Sequence, residues 1–227
     1  MEIILKIWKK SIVKPSKKSC GIYLISPPEI NLPTFKNQLL EVLDTGEIDC
    51  FQLRLKNCKD IDFLKIAETL KPLCDRTKTL LLINDRPDLA KIAQADGVHI
   101  GQNDTNIDKS REILGDNAII GVTCHNSIHL GFLAAESSAN YVAFGTFFPT
   151  KSKETKYKAD LALIQQWNML VEIPLVAIGG ITPQNCGPIV KAGADYIATM
   201  SAVWNNTRNP SSAIVELKKK IELKLVD

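Results

Sequence analysis

Short apolar segments rich in β-branched residues alternate with longer amphipathic segments from residue 21 almost to the end of this 227-residue chain. Such apolar runs, bounded by polar or glycine-containing segments, indicate buried strands, and the segments between them have helical patterns. The eight candidate strands are residues 21–26, 50–56, 79–84, 97–100, 119–122, 141–145, 174–178 and 195–200. Strands that alternate with helices form parallel βαβ units, so the pattern predicts an α/β fold, a single-domain (β/α)₈ TIM barrel. The alternative is an open doubly wound sheet.

The length of the chain suits one large domain, and an apolar fraction of 45% is enough for a substantial core. We predict that residues 20–227 form the barrel and that residues 1–19 form a basic N-terminal extension, which is flexible or lies on the surface. The extension contains six lysines. A targeting or membrane-surface role is the alternative for this segment.

Charge, hydropathy and cysteine usage exclude several classes of protein. The net charge is only +3, which does not predict nucleic-acid binding. No apolar run approaches the roughly 20 residues that a membrane span needs. The six cysteines form no CxxC pair and have no zinc-ligand spacing, so they are expected as free thiols in a reducing, cytoplasmic environment.

Polar residues on the second candidate strand alternate with leucines. Gln52, Arg54 and Lys56 share one face, and Leu53 and Leu55 share the other. In a barrel the leucines pack against helices, so the three polar side chains are expected to point inward. Two cations held inside a barrel need anions nearby. The alternative is an edge strand with a solvated polar face.

Acidic residues follow the third and fourth candidate strands. Asn84 and Asp85 end one strand, and the next runs into Asp104. Neighbouring strands lie about 5 Å apart, so the two carboxylates can converge on one ion, and together with phosphate and water oxygens they suit Mg²⁺. Helix capping is the alternative: Asp85 could cap a helix that begins at Arg86, and Thr105 could cap the next helix and leave Asp104 free.

Hydroxyl and imidazole groups follow the fifth candidate strand. Thr123 and His125 lie at its end and are candidates for the site. A hydrogen-bonded structural histidine is the alternative for His125. His99 lies within a strand, where a structural role is expected.

Two further segments predict phosphate binding. After the sixth strand, Thr150, Ser152 and Lys153 follow a proline in a lysine-rich loop, which is either a lid over a phosphate or an ordinary solvated charge run. After the seventh strand, Gly179 and Gly180 permit close approach of the backbone. Together with a helix start after strand eight, near Ser201, they predict the phosphate site common in barrels. The number of predicted anion-binding groups indicates two phosphorylated substrates, one of them a diphosphate.

Seven segments of the chain, taken together, resemble the thiamine phosphate synthase (thiamine-phosphate pyrophosphorylase) family. They are QLRLK, NDR, GVHIGQND, GVTCH, FPTKSK, AIGGIT and the MS of ATMSAV, in the family's order and spacing across most of residues 21–203. The resemblance implies a (β/α)₈ barrel, a transferase that joins a hydroxymethylpyrimidine diphosphate to a thiazole phosphate, and a Mg²⁺ cofactor. It does not cover residues 1–19, and it leaves homo-oligomerisation open.

The resemblance also implies a role for each matching residue. The pyrimidine diphosphate would be held by Gln52, Arg54, Lys56, Asn84, Thr123 and Lys153, of which Arg54, Lys56, Thr123 and Lys153 would do the catalytic work. Mg²⁺ would be bound by Asp85 and Asp104. The thiazole phosphate would be held by Thr150, Ser152, Gly180, Met200 and Ser201. Thr123 stands where serine is usual and Ser152 where threonine is usual, but both keep a hydroxyl.

The implied mechanism is dissociative: pyrophosphate leaves first, and the thiazole nitrogen then attacks the pyrimidine methyl cation. The sequence shows no nucleophile–base motif, which agrees with this mechanism. Two rival functions remain. One is a thiazole tautomerase on the same barrel, with His125 transferring protons. The other is a non-catalytic sensor of phosphorylated ligands. QLRLK, both aspartates and PTKSK favour the synthase, because a tautomerase has no need for the full diphosphate set.

Overall fold

Eight parallel strands close into a barrel in the computed structural model, which describes residues 19–150 and 156–226. The strands are β1 (Gly21–Ile25), β2 (Cys50–Leu53), β3 (Leu80–Asn84), β4 (Gly97–Ile100), β5 (Ile119–His125), β6 (Tyr141–Gly145), β7 (Leu175–Ile178) and β8 (Tyr196–Thr199). β1 pairs with β8 from Gly21 opposite Tyr196 to Leu24 opposite Thr199. The predicted TIM barrel is therefore confirmed, and the open sheet is wrong.

Nine helices surround the barrel in the described ranges. They are α1 (Leu32–Leu43), α2 (Asp60–Thr77), α3 (Pro87–Ile92), α4 (Ile107–Leu114), α5 (Ile128–Glu136), α6 (Leu161–Leu170), α7 (Cys186–Ala192), α8 (Ser201–Trp204) and α9 (Pro210–Val226). Side chains of Asn31, Asn106, Ser127 and Asp160 accept hydrogen bonds from first-turn N–H groups of four of these helices. None of the helices in these ranges has the length and apolar character that a membrane span requires.

Alternation along the strands divides the apolar residues into two cores. The larger core lies between strands and helices, and Leu53 of β2 belongs to it. The smaller core fills the barrel interior and includes Cys50 of β2 and Tyr141 of β6. Gln52 is only 3% exposed and lies on the same side of β2 as Cys50. The predicted inward orientation of Gln52 is thus correct, as is the outward orientation of the leucine.

A ring of four polar residues closes the N-terminal end of the barrel. Asp49, Asp96, Asn140 and Asp195 each directly precede an even-numbered strand. Their side-chain oxygens accept hydrogen bonds of 2.8–2.9 Å from backbone N–H groups at the start of the preceding odd-numbered strand, at Ile22, Leu81, Ile120 and Leu175. We call these four residues the N-terminal ring. It satisfies buried donors and fixes the start of each pair of strands.

The predicted extension at residues 1–19 lies, apart from Ser19, outside the described residues, and its boundary with the barrel stays a prediction. The same holds for Ser152 and Lys153 in the loop after β6. The barrel positions every other predicted site residue at or just beyond the C-terminal end of a strand.

Candidate active site

Gln52 and Asn84 form a polar contact across the first pair of site strands. The Gln52 amide Nε2 donates to Asn84 Oδ1 at 2.7 Å. Asn84 is the last residue of β3 and is half-buried. The contact fixes the two amides against each other near the C-terminal end of the barrel, and each amide has further polar atoms that could bind a ligand.

Arg54 and Lys56 lie beyond the end of β2, which stops at Leu53 and not at residue 56 as predicted. The chain turns toward the β1 loop here, because Arg54 N donates to Ser26 Oγ at 2.9 Å and Lys56 N donates to Pro28 O at 2.8 Å. Arg54 is half-buried, whereas Lys56 is exposed. The two cations therefore belong to the rim of the barrel rather than to its interior.

Asp85 and Asp104 meet beyond the ends of β3 and β4, where their carboxyl groups are close enough to share a proton. Asp85 has a φ of 63° and its N–H donates to His99 O at 2.8 Å, while Asp104 Oδ2 accepts from Gly101 N at 2.7 Å. Burial and the adjacent Asp104 together raise the pKa of Asp85 to about 6, whereas the positive charge of Arg54 opposes the shift. The pair of carboxyl groups therefore keeps a proton up to a higher pH than an isolated aspartate does.

Helix capping does not explain either aspartate. α3 begins at Pro87 with Arg86 at its N-cap and no side-chain capping bond, so the alternative role for Asp85 is wrong. α4 is capped by Asn106, whose Oδ1 accepts from Lys109 N at 2.9 Å, so the cap predicted at Thr105 is wrong as well. Because Asn106 caps this helix, Asp104 is not needed as a cap and is available for the site.

The carboxyl pair fits a hard divalent cation. Two carboxylates at adjacent strand ends supply the oxygen ligands that Mg²⁺ prefers, and this ion commonly takes its remaining ligands from water and phosphate. No group of three or more histidine, cysteine, aspartate or glutamate side chains that could hold a metal occurs in the described part of the chain. A cation here would therefore depend on a bound substrate for part of its coordination.

Thr123 projects from β5 next to a buried histidine. His99 Nε2 lies 2.8 Å from Thr123 Oγ1, and the other ring nitrogen, Nδ1, lies 2.8 Å from the hydroxyl of Tyr141. Burial lowers the pKa of His99 to about 4, so the imidazole is neutral at physiological pH. Gln102 Nε2 donates to the carbonyl oxygen of Thr123 at 2.6 Å. Both oxygens of Thr123 are thus held in place.

His125 lies beyond a register shift in the pairing of β5 with β6. Its φ is 52°, and its ring stacks on Tyr157 with centroids 4.2 Å apart. Tyr157 follows the loop after β6, so this stack connects the end of β5 to the far end of that loop.

The predicted phosphate residues gather at the ends of β6, β7 and β8. Phe147 N and Phe148 N donate to Ile178 O and Gly179 O, so the loop that leads to Thr150 runs along the end of β7. Gly180 has a φ of 63°, and a Cβ added to it would lie 2.4 Å from Pro149 O. The approach of this loop by itself requires glycine at this position, and the anion site that the sequence predicts here stays a prediction.

Met200 and Ser201 complete this side of the rim. Met200 is the N-cap residue of α8, and Ser201 is its exposed first residue. The indole N–H of Trp204 donates to Ile25 O at 2.6 Å, which ties the short helix α8 to the end of β1.

Comparison with known proteins assigns the chain to a family. The model of the thiamine monophosphate synthase family matches residues 22–203. The thiamine-phosphate synthase of Rhodospirillum centenum is 44% identical over 200 residues, which cover 88% of this chain and 97% of that protein. The chain belongs to the thiamine monophosphate synthase family. It is accordingly a transferase of thiamine biosynthesis.

Solved structures agree with this assignment. A thiamine phosphate pyrophosphorylase from Pyrococcus furiosus superposes with a TM-score of 0.80 at 30% identity, covering 92% of this chain and 98% of that one. A geranylgeranylglyceryl phosphate synthase from Thermoplasma acidophilum superposes with a TM-score of 0.69 at 13% identity, covering 98% of this chain and 99% of that one. The second likeness shows the fold alone.

Sequence reasoning missed the surroundings of Thr123 in this family member. The sequence predicted a structural role for His99, and it did not identify Tyr23 or Tyr141 as neighbours of the site. The signal was available, since His99 falls on the inward face of β4 and Tyr141 begins β6, and both are polar groups inside a barrel.

Proposed function

We propose that this chain couples 4-amino-2-methyl-5-(diphosphooxymethyl)pyrimidine to a thiazole phosphate, giving thiamine phosphate and pyrophosphate in a Mg²⁺-dependent reaction. The names of its relatives and its family support this reaction. The single observation that carries the proposal is the contact between the side chains of Asp85 and Asp104, with Arg54 close enough to act on Asp85.

Asp85 and Asp104 would hold Mg²⁺, which when bound neutralises charge on the diphosphate. Arg54 and Lys56 lie beyond the end of β2 and would bind phosphate oxygens. Gln52 and Asn84 form a rigid amide pair that would orient the pyrimidine diphosphate, and the hydroxyl of Thr123 would hold it from the opposite side. Lys153, outside the described residues, is proposed as a third cation for the same group.

The reaction we propose begins with cleavage of the bond between the pyrimidine methylene carbon and the diphosphate oxygen. The bonding electron pair leaves with pyrophosphate, and Arg54 and Lys56 stabilise the negative charge that builds on that leaving group. The thiazole nitrogen then donates its lone pair to the methylene cation. No protein nucleophile takes part, and the barrel contributes position and electrostatic stabilisation.

The thiazole phosphate would bind at the ends of β6, β7 and β8. Thr150, Gly180, Met200 and Ser201 lie there, and Ser152 is proposed to join them from the loop outside the described residues. The backbone contacts between the β6 loop and the end of β7 would hold this subsite rigid and set the thiazole nitrogen against the cation.

A thiazole tautomerase remains the alternative on this barrel. It would use His125, whose ring is stacked on Tyr157. The carboxyl pair favours the synthase, since an isomerase acting on one monophosphate has no use for two aspartates that hold a cation on a diphosphate.

Replacing Asp85 tests the proposal. With both substrates and Mg²⁺, we expect Asp85→Asn to slow thiamine phosphate formation by at least about a hundredfold, because a metal ion at a developing charge contributes several kcal/mol. Asp108→Asn, on the exposed first turn of α4, is the matched control and should keep full activity. We also expect Mg²⁺ with pyrophosphate to raise the melting temperature of the unmodified protein but not of Asp85→Asn.

Two results would contradict the proposal. Unchanged turnover in Asp85→Asn would remove this aspartate from the metal site. Isomerisation of the thiazole without coupling, in the unmodified protein, would favour the tautomerase.

A further inference from the structure

Four side chains form a continuous hydrogen-bonded chain from the barrel interior to the candidate site. The Tyr23 hydroxyl lies 2.9 Å from the Tyr141 hydroxyl, which lies 2.8 Å from His99 Nδ1, and His99 Nε2 lies 2.8 Å from Thr123 Oγ1. The first three side chains are at most 7% exposed, and Thr123 is half-buried at the rim. We call these four residues the relay.

The relay has a preferred direction. A neutral imidazole donates from one nitrogen and accepts at the other. A phenol is a stronger proton donor than an aliphatic alcohol, and an imidazole nitrogen accepts more strongly than a hydroxyl oxygen. The stronger arrangement therefore has Tyr141 donating to Nδ1 of His99, so that the ring proton lies on Nε2.

The inner end of the relay favours the same direction. The Tyr23 hydroxyl lies 2.9 Å from that of Tyr141, and the thiol of Cys50 is near enough to raise the pKa of Tyr23. In the reverse direction Tyr23 would donate to that sulfur, which is a weak acceptor. In the preferred direction Tyr23 donates to the oxygen of Tyr141, and hydrogen bonds in series polarise one another.

We propose that Tyr23, Tyr141 and His99 are positioning residues that fix Thr123 as a hydrogen-bond donor toward bound substrate. His99 Nε2–H donates to Thr123 Oγ1, so the hydroxyl proton of Thr123 points away from the ring and toward the open end of the barrel. This inference rests on the proposed function for the identity of the acceptor, an oxygen or ring nitrogen of the pyrimidine diphosphate.

The backbone of Thr123 supports a single orientation of its side chain. Gln102 fixes the carbonyl oxygen of Thr123 through a bond of 2.6 Å, and His99 fixes its hydroxyl oxygen. A β-branched side chain has few rotamers, so these two contacts leave the hydroxyl proton as the main remaining freedom. The relay determines that proton.

The tautomer of His99 is a direct readout that needs no substrate. The chain has three histidines, so ¹⁵N NMR of protein labelled at histidine gives three sets of ring signals, assigned with His125→Gln and His129→Gln. We expect His99 to carry its proton on Nε2 in the unmodified protein. In Tyr141→Phe, which removes the donor to Nδ1, we expect the Nδ1-protonated form to become populated.

A double-mutant cycle tests the link to substrate. Tyr141→Phe should lower kcat/KM about tenfold, which is the usual consequence of losing one oriented hydrogen bond. Thr123→Val removes the hydroxyl and keeps the shape of the side chain. In the Thr123→Val background, Tyr141→Phe should cause no further loss, because the relay acts through that hydroxyl.

Tyr196→Phe is the matched control, since Tyr196 is another buried tyrosine of the interior core, on β8 and outside the relay. It should change neither the tautomer nor kcat/KM. Tyr23→Phe, which keeps Tyr141 in place, should have the effect of Tyr141→Phe at smaller amplitude.

Three outcomes would overturn the inference. They are a proton on Nδ1 in the unmodified protein, an unchanged tautomer in Tyr141→Phe, and additive losses from Tyr141→Phe and Thr123→Val. The NMR result stands whether or not the protein forms thiamine phosphate. Failure of the proposed function, seen as no coupling by the unmodified protein, is thereby distinguished from failure of the relay.

Discussion

The two ends of the barrel use the same residue type for opposite purposes. At the N-terminal end, Asp49, Asp96 and Asp195 of the N-terminal ring accept hydrogen bonds from backbone N–H groups of neighbouring strands. At the C-terminal end, Asp85 and Asp104 face each other, and burial with the neighbouring carboxyl raises the pKa of Asp85. The first group stabilises the fold, and the second is held close to a like charge.

The partners of the aspartates account for this difference. Each aspartate of the N-terminal ring accepts a backbone N–H of a neighbouring strand, as Asp96 does from Leu81 N and Asp195 does from Leu175 N. At the C-terminal end Asp104 also accepts a backbone N–H, from Gly101, but Asp85 and Asp104 lie against each other, so that a cation or a shared proton relieves their repulsion. The carboxyl pair therefore creates a candidate cation site at this end of the barrel at some cost in stability.

The largest effect is expected from breaking the N-terminal ring. Asp96 accepts from Leu81 N and lies 3.7 Å from Lys71 Nζ. Asp96→Ala leaves a buried N–H without its acceptor, and we expect a loss of about 3 kcal/mol in the free energy of unfolding. Asp96→Asn keeps an acceptor and should retain most of the stability. Both variants should keep kcat well below their melting temperatures, and chemical denaturation with turnover assays measures this.

An Asp96→Ala variant as stable as the unmodified protein would show that the ring does not hold the strands. A large loss of kcat in the folded variant would mean that the N-terminal ring also affects the site at the other end of the barrel. The separation of stability from activity between the two ends would then be wrong.

Periodicity predicted the fold well because strand and helix patterns are local. The eight strands were predicted within a few residues, and the largest differences are at the ends of β2 and β5. At the end of β2, the hydrogen bond from Arg54 N to Ser26 Oγ turns the chain away from the sheet. Polar residues at strand ends predicted the contact of Asp85 with Asp104, because consecutive parallel strands are neighbours and have their C-terminal ends on the same side of the sheet.

The N-terminal ring and the relay could not be derived in the same way. Both depend on which side chains of distant strands meet, and Tyr141 is 42 residues from His99. The ring left a faint trace, an Asp or Asn directly before each even-numbered strand, in IDC, ADG, ANY and ADY. That recurrence every two βα units is visible only once the strands have been numbered correctly.

A smaller effect of opposite sign is expected from relieving the C-terminal end. The pKa of Asp85 is about 6 in the folded protein, against an ordinary value of 3.8. Its charged form therefore destabilises the fold above about pH 6, and this penalty disappears as pH falls below about 4. Asp85→Asn removes the charge, and asparagine tolerates the positive φ of this position. Because solvent screens the repulsion, we expect a gain of only about 1 kcal/mol.

Thermal unfolding at pH 8 and pH 4, without divalent ions, measures this gain. Asp108→Asn serves again as the control for the replacement of an exposed aspartate. A loss of stability in Asp85→Asn at pH 8 would mean that Asp85 and Asp104 do not repel each other in the folded protein. The proposed difference between the two ends of the barrel would then be wrong.

The smallest effect is expected from completing the ring with a fourth carboxylate. Asn140 Oδ1 accepts from Ile120 N at 2.8 Å and from Arg111 Nη2 at 3.0 Å, so the position already faces donors and a cation. Asn140→Asp keeps the acceptor and adds a charge beside Arg111, and we expect a change within about 0.5 kcal/mol. Asn140→Ala should instead lose about 2 kcal/mol, as a buried donor loses its partner. If Asn140→Asp destabilised the protein as much as Asn140→Ala, the N-terminal end would not accept carboxylates in general, and the donors around the N-terminal ring would not be what separates the two ends.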